Sequence, residues 1–219
     1  MRSGVLTVFG RATSSNVQLV MWAVGELGLA HERLDYGHVH GGLDQPDFLA
    51  MNPHGKIPVL RDGDTVIWES AAILRYLGAV YGDGDAFWPA DPAARAQVDM
   101  WAEWGKSELC QRFTVPIFWS RVRTPAADRD HAALTRALEA FDAELAILEQ
   151  QLKGRDYILG PDLTAADIVV GHLLYRWFTI DVPRVSRPAV EAYYDRLCQR
   201  PAYRTHVMVP YDVLRAEGA

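Results

Sequence analysis

The first 80 residues alternate short apolar runs with segments of helical period, the pattern of an α/β unit. Val5 to Phe9 predicts a buried strand. After the turn-like Gly10-Arg11-Ala12-Thr13-Ser14-Ser15-Asn16, the positions Val17, Val20, Met21, Val24 and Leu27 recur at helical spacing, and Gly28 stands where a C-terminal cap belongs. A second strand is expected over Glu32 to Asp35, followed by a Gly-rich polar connection, residues 37–48, too broken for regular structure. Ile57 to Leu60 and Thr65 to Ile67 flank Arg61-Asp62-Gly63-Asp64, where Asp-Gly signals a hairpin. A helix from Ser70 to Tyr81 carries Ile73, Leu74, Leu77 and Val80 on one face. The order is βαβ followed by ββα.

Residues 83–91 are rich in Gly, Asp and Pro without periodicity, which predicts a linker between a first unit over 1–82 and a second over 92–219. Beyond it strand signals fade. Leu134, Leu138, Phe141, Leu145, Leu148 and Leu152 form a nearly heptad-spaced stripe, so the second unit is expected to be an all-helical bundle. The fold class is therefore α/β followed by all-α.

Composition narrows the function. With 219 residues, 49% hydrophobic and 23% charged, the chain is globular and long enough for two modest domains. A formal net charge of -6 and scattered basic residues argue against a nucleic-acid partner. No tract of some 18 apolar residues predicts a membrane span, and the opening residues lack the features of a secretory signal, so a cytoplasmic location is expected. Cys110 and Cys198 are far apart, with neither CxxC nor zinc spacing, and read as core thiols. His38 and His40 share one side of an extended segment, but two ligands make no zinc site, and no metal is expected.

Three segments carry candidate chemistry. Ile57-Pro58 interrupts a strand-like run; it is either an edge proline or a cis bond that turns the backbone of Ile57 outward to pair with an extended peptide. Glu69-Ser70 opens a helix, where free N–H groups and the dipole suit a carboxylate, and where Glu69 could accept from an ammonium group. A plain N-cap is the competing reading. Thr13-Ser14-Ser15-Asn16 offers four short polar side chains at another helix start; one caps the helix and the others are free to stabilise a thiolate.

These segments lie in the order of a known family. Thr13-Ser14-Ser15-Asn16, Asn52-Pro53-His54-Gly55-Lys56-Ile57-Pro58-Val59-Leu60 and Trp68-Glu69-Ser70-Ala71-Ala72-Ile73 resemble the glutathione transferases. Leu163-Thr164-Ala165-Ala166-Asp167-Ile168 matches the capping box of that family's second domain, with Thr164 capping and Asp167 reaching back. The resemblance implies a thioredoxin-like first domain, a helical second domain that shapes the pocket of a second substrate, a homodimer, glutathione as cosubstrate and a role in detoxification.

Carried over residue by residue, the resemblance gives Ile57 the backbone pairing with the cysteinyl part of glutathione and makes Pro58 its cis proline. Glu69 and Ser70 would hold the γ-glutamyl end, and Lys56 would face the glycyl carboxylate, where His54 could help, with plain loop exposure as its default reading. The first loop has no Tyr or Cys, which removes the tyrosine and cysteine classes and points to serine-using, theta-like or nu-like bacterial relatives. Ser14 is the first candidate for thiol activation, then Asn16, with Thr13 and Ser15 behind. Glu103 falls where related classes reach across the dimer; a solvated helix carboxylate is its other reading. Trp104, Phe113, Phe118 and Trp119 would suit an apolar pocket for a hydrophobic electrophile, although core packing also claims such residues. The activity implied is attack of the glutathione thiolate on an electrophile. Glutathione-dependent disulfide or peroxide reduction and a non-catalytic hydrophobic-ligand carrier are the alternatives.

Overall fold

A computed structural model of the chain describes residues 4–82 and 86–217. Residues 83–85 of the expected linker and the chain ends at 1–3 and 218–219 lie outside them.

Four short strands, β1 (Leu6–Phe9), β2 (His31–Leu34), β3 (Val59–Asp62) and β4 (Thr65–Trp68), form one sheet in the order β2-β1-β3-β4. β1 pairs parallel with β2, whereas β3 runs antiparallel to both β1 and β4. The period-two pleat divides β1 and β3 between two layers. Leu6, Val8 and Leu60 enter the large core, while Phe9 and Val59 face a smaller cluster with Phe48. Charged residues mark β2, His-Glu-Arg-Leu, as a protected edge.

Helices α1 (Ser15–Glu26) and α3 (Ser70–Tyr81) cover the large-core face, and α2 (Pro46–Met51) covers the other through Phe48. α2 corrects the expectation of an irregular connection over residues 37–48. Pro46 stands at its first turn, where a missing N–H costs nothing, and the single buried Phe48 holds the helix down. A 3-10 turn at His38–His40 precedes it. Gly28 (φ 62°) ends α1, and Gly63 (φ 57°) closes the β3–β4 hairpin. Both conformations are ones that only glycine adopts without cost.

Every later described element is helical: α4 (Pro92–Trp104), α5 (Cys110–Phe113), α6 (Ser120–Val122), α7 (His131–Leu152), α8 (Ala165–Gly171), α9 (Leu174–Thr179), α10 (Pro188–Cys198) and α11 (Pro201–His206). α4, α5 and α6 form one helical run interrupted by two wide turns, Gly105–Leu109 and Thr114–Trp119. Pro116, which supplies no N–H, falls in the second. The α7 stripe is inward, with Leu134, Phe141, Leu145, Leu148 and Leu152 buried. Cys110 is buried and Cys198 half-buried, both as free thiols.

The large core runs without a break from the sheet into the bundle. Trp22 of α1 is its hinge pin: the ring meets Tyr203 edge-on at 4.7 Å, while its Nε1 donates to Glu26 at 2.7 Å. Arg200 then closes a bidentate pair on Glu26 at 2.8 and 2.6 Å. Beneath α8, the fully buried carboxylate of Asp167 accepts from the Ile158 and Thr164 backbones, the Thr164 hydroxyl and the Tyr193 hydroxyl at 2.8–3.0 Å. Thr164 and Asp167 thus form the capping box expected from their spacing.

Candidate functional site

The site grows from three backbone features at one end of the sheet. β1 is followed by Gly10, whose N–H donates to the Leu34 carbonyl at 2.8 Å. Its φ of 148° and a virtual Cβ only 2.5 Å from Val17 and 3.1 Å from Ile57 show why a side chain is excluded here. The first loop is thereby pressed against the second feature, the segment before β3. There the Ile57-Pro58 bond is cis, so of the two readings open in the sequence the edge proline falls away. β3 begins only at Val59, and Ile57 lies beyond the last ladder pair, Phe9 with Val59. Asn52, buried, shapes this loop: its Nδ2 donates to the Lys56 carbonyl at 2.7 Å, and its Oδ1 accepts from the His54 N–H at 3.0 Å. Lys56 and His54 are exposed, the imidazole tilted against Trp68 at 5.2 Å.

The third feature is Glu69, held at φ 69° and ψ 117° immediately before α3. A non-glycine residue in that region costs of order 1–3 kcal/mol and persists only where its surroundings over-determine it. The strain presents an exposed carboxylate beside the free N–H groups of a 12-residue helix, whose first residue, Ser70, is buried.

Ser14 is the N-cap of α1 by backbone geometry (φ -86°, ψ 124°), yet its hydroxyl makes no capping bond. The hydroxyl is half-buried and has no partner among the described residues. The expectation that one polar side chain of this loop caps α1 is therefore corrected, because the cap is made by backbone alone. Asn16 is already engaged. Its Oδ1 accepts from the Lys106 ammonium at 2.9 Å and from the Ser70 hydroxyl at 3.3 Å, and Lys106 also donates to Ser70 at 3.2 Å. Thr13 supplies a backbone carbonyl to Arg176 at 2.7 Å, and Ser15 opens the first turn of α1.

Lys106 and Arg176 were not legible as site residues, and both come from the helical unit. Lys106 sits in the first wide turn after α4, a geometry that no sequence period announces. Arg176 carried a usable signal: it is the lone charge in the apolar run from Ile168 to Ile180 apart from His172. It is 4% exposed, and burial pulls its pKa down to about 10. Arg11, the cation within the first loop, was likewise passed over.

The expected pocket aromatics separate into two groups. Phe113 and Phe118 are each 1% exposed; Phe113 packs against Phe141 at 5.2 Å and Trp177 at 6.2 Å, as core residues do. Trp104 is half-buried against Trp101 and donates its Nε1 to Glu144 at 2.9 Å. Trp119 alone is open, at 41%. Glu103 is an exposed carboxylate paired with Arg75, which also meets Asp99 at 2.8 Å. Among the described residues no three His, Cys, Asp or Glu side chains converge as metal ligands, and no helix is long and apolar enough to cross a membrane.

Comparison with known proteins gives the family. The family model for the glutathione S-transferase N-terminal domain matches residues 4–79, and that for the C-terminal domain matches residues 132–196. Glutathione S-transferase GstB of Escherichia coli is 36% identical over 94% of this chain and 99% of its own length. Glutathione S-transferase 3 of Zea mays is 32% identical over 92% and 93%. The crystal structure of the theta class glutathione S-transferase of Xanthomonas axonopodis pv. citri, with glutathione bound, superposes with a TM-score of 0.88 at 40% identity, covering 94% of this chain and 98% of that one. The chain belongs to the glutathione S-transferase family.

Proposed function

We propose that the chain is a glutathione transferase in which residues 1–82 bind and activate glutathione and residues 92–219 supply the second-substrate side. The single observation that carries the activation step is the Ser14 hydroxyl, placed at a helix start, making no capping bond and without a partner among the described residues. It donates to the bound thiolate, and with the α1 dipole it favours the anion over the thiol. One pKa unit corresponds to about 1.36 kcal/mol, within reach of one charge-assisted hydrogen bond. Asn16 is the weaker candidate, because its Oδ1 is committed to Lys106 and Ser70. Thr13 and Ser15 shape the loop.

In this reading the peptide lies along the sheet end. The backbone of Ile57, beyond the ladder, pairs with the cysteinyl residue, with Pro58 setting its direction. The γ-glutamyl carboxylate meets Ser70 and the α3 N-terminus, with the Lys106 ammonium adding a charge 3.2 Å from that hydroxyl. Glu69 accepts from the γ-glutamyl ammonium. Lys56 and His54 serve the glycyl carboxylate. Glutathione thus arrives with its thiol fixed beside Ser14, and proximity supplies much of the rate of attack on an electrophilic carbon. A cytoplasmic homodimer acting in detoxification completes the proposal. Because Glu103 already has Arg75, it is read as a surface carboxylate rather than a group reaching across the dimer. Trp119 is the one expected pocket aromatic with open surface to offer the electrophile.

Calorimetric titration with glutathione, followed by steady-state conjugation of a chloronitrobenzene, tests the proposal. Binding with turnover supports it. Absence of glutathione binding would sink it and favour the ligand-carrier reading.

A further inference from the structure

Three arginines gather beside the first loop with no ion-paired carboxylate among the described residues; Asp35, which accepts from the Ala12 N–H at this loop, is paired with Arg33. Arg176 projects from α9, donates Nη2 to the Thr13 carbonyl at 2.7 Å and lies over the Phe118 ring at 4.5 Å. Arg123, just after α6, lies over the Trp119 ring at 4.8 Å. Arg11 belongs to the loop itself, its carbonyl accepting from the Ser14 N–H at 3.1 Å. The Nε and Nη1 of Arg11 and the Nε of Arg176 are buried with no hydrogen-bond partner among the described residues. None of the three takes part in an ion pair among the described residues, whereas eight other arginines do. An aromatic face stabilises a guanidinium through its ring but leaves the N–H fork free in its own plane.

The crowding of cations here displaces the pKa values of the groups themselves. Arg11 is shifted down by burial first and then by Arg123. For Arg176 burial again dominates, and Arg11 adds to it. His38, on the 3-10 turn facing the same place, is lowered by desolvation and then by Arg11 and Arg123. In a chain of net charge -6 such a group of uncompensated cations is not a general property of the surface. Buried guanidinium donors without partners are costly, and an anion that accepts from them relieves both desolvation and mutual repulsion.

We infer that Arg11, Arg123 and Arg176 form an anion-binding subsite on the second-substrate side, so that the preferred electrophile carries a carboxylate. The inference rests on the transferase reading for the position of the thiol, since Arg11 and Thr13 flank Ser14 within one loop. The subsite replaces the wholly apolar pocket expected from Phe113 and Phe118, which are spent in the core. It orients the electrophile by fork-to-carboxylate hydrogen bonds while Trp119 offers a face to its apolar part.

A matched pair of probes tests it. 4-Chloro-3-nitrobenzoate and 4-chloro-3-nitrobenzamide are similar in size and react in the same way: the thiolate forms a C–S bond at the chlorinated carbon, chloride leaves with its electron pair, and the thiol proton passes to solvent. kcat/KM for each is divided by its uncatalysed rate constant at the same pH. Binding of the non-reacting pair 3-nitrobenzoate and 3-nitrobenzamide to the glutathione-saturated protein is measured in parallel by calorimetry. The expected result is a preference of about tenfold or more for the anion in both measurements. That preference falls below about threefold in Arg123→Ala and in Arg11→Ala. Equal treatment of anion and amide overturns the inference, as does a preference that neither variant reduces. If the variants weaken glutathione binding and leave the anion-to-amide ratio intact, the arginines serve the cosubstrate and the inference fails. The transferase reading is judged separately, by glutathione binding in the unmodified protein.

Discussion

The two sides of this site are built by different means. The proposed glutathione side is mostly backbone: a glycine that lets two loops meet, the turned segment at Ile57-Pro58, and Glu69 at positive φ opening α3. The proposed second-substrate side gathers long cationic side chains at the first loop, Arg176 from α9, Arg123 from just after α6 and Arg11 from the loop itself. Backbone devices need particular residues at fixed spacing and therefore write themselves into local sequence. Convergent side chains need only a direction in space, which local sequence does not record. The large core, continuous across both units, keeps the two sides in register.

Several changes would break or sharpen that contrast. The largest effect is expected where an aromatic of the second side is structural. Phe113→Ala should lower unfolding free energy by about 3–5 kcal/mol, whereas Trp119→Ala should cost much less; denaturant titration of both checks the separation. Next, Ser14→Ala should lower kcat roughly 100-fold near neutral pH with little change in glutathione KM, because a smaller fraction of bound glutathione is thiolate. A smaller loss from Ser14→Ala than from Asn16→Ala would reverse their assigned roles.

His172, fully buried behind Lys106, sharpens the account through pH. Its Nδ1 lies 2.6 Å from the Val169 carbonyl while Nε2 has no partner among the described residues, and burial lowers its pKa to about 3. The unfolded chain binds the proton near pH 6.5 and the folded chain does not, so stability falls as pH drops below about 6.5, by up to about 1.4 kcal/mol per unit. Asp167, raised mainly by burial, contributes the opposite slope above its ordinary value. It does so equally in His172→Phe, whose flatter stability profile between pH 6.5 and 5 would isolate the histidine. The smallest effect is expected for Lys106→Met. Glutathione KM should rise about threefold to tenfold with kcat retained, because a charge near the γ-glutamyl carboxylate acts on binding alone.

What the sequence disclosed follows the same division. The strand and helix order, the capping box at Thr164 and Asp167 and the α7 stripe were all legible, since each rests on a short-range period or cap. Strand limits shifted by one or two residues, because Val5 is exposed and the turn at Pro58 delays β3 to Val59. α2 escaped notice: six residues after Gly-rich chain carry too little periodicity, and only Phe48 is buried. Asn16 looked free until Lys106 reached it across 90 positions. Phe113 and Phe118 looked like pocket residues because an aromatic's spacing does not tell which side of a helix faces the core once wide turns shift the phase. Arg176, a charge amid apolar residues, was the clearest missed signal.

The central claim is that Ser14 stabilises the thiolate of bound glutathione. Its most direct test is the ultraviolet absorbance of the bound thiolate as a function of pH in the parent protein, Ser14→Ala and Asn16→Ala. The account predicts a bound thiol that titrates well below the free value, restored toward that value by Ser14→Ala and little changed by Asn16→Ala. An unshifted thiol in the parent protein, or a shift that survives Ser14→Ala, would contradict it.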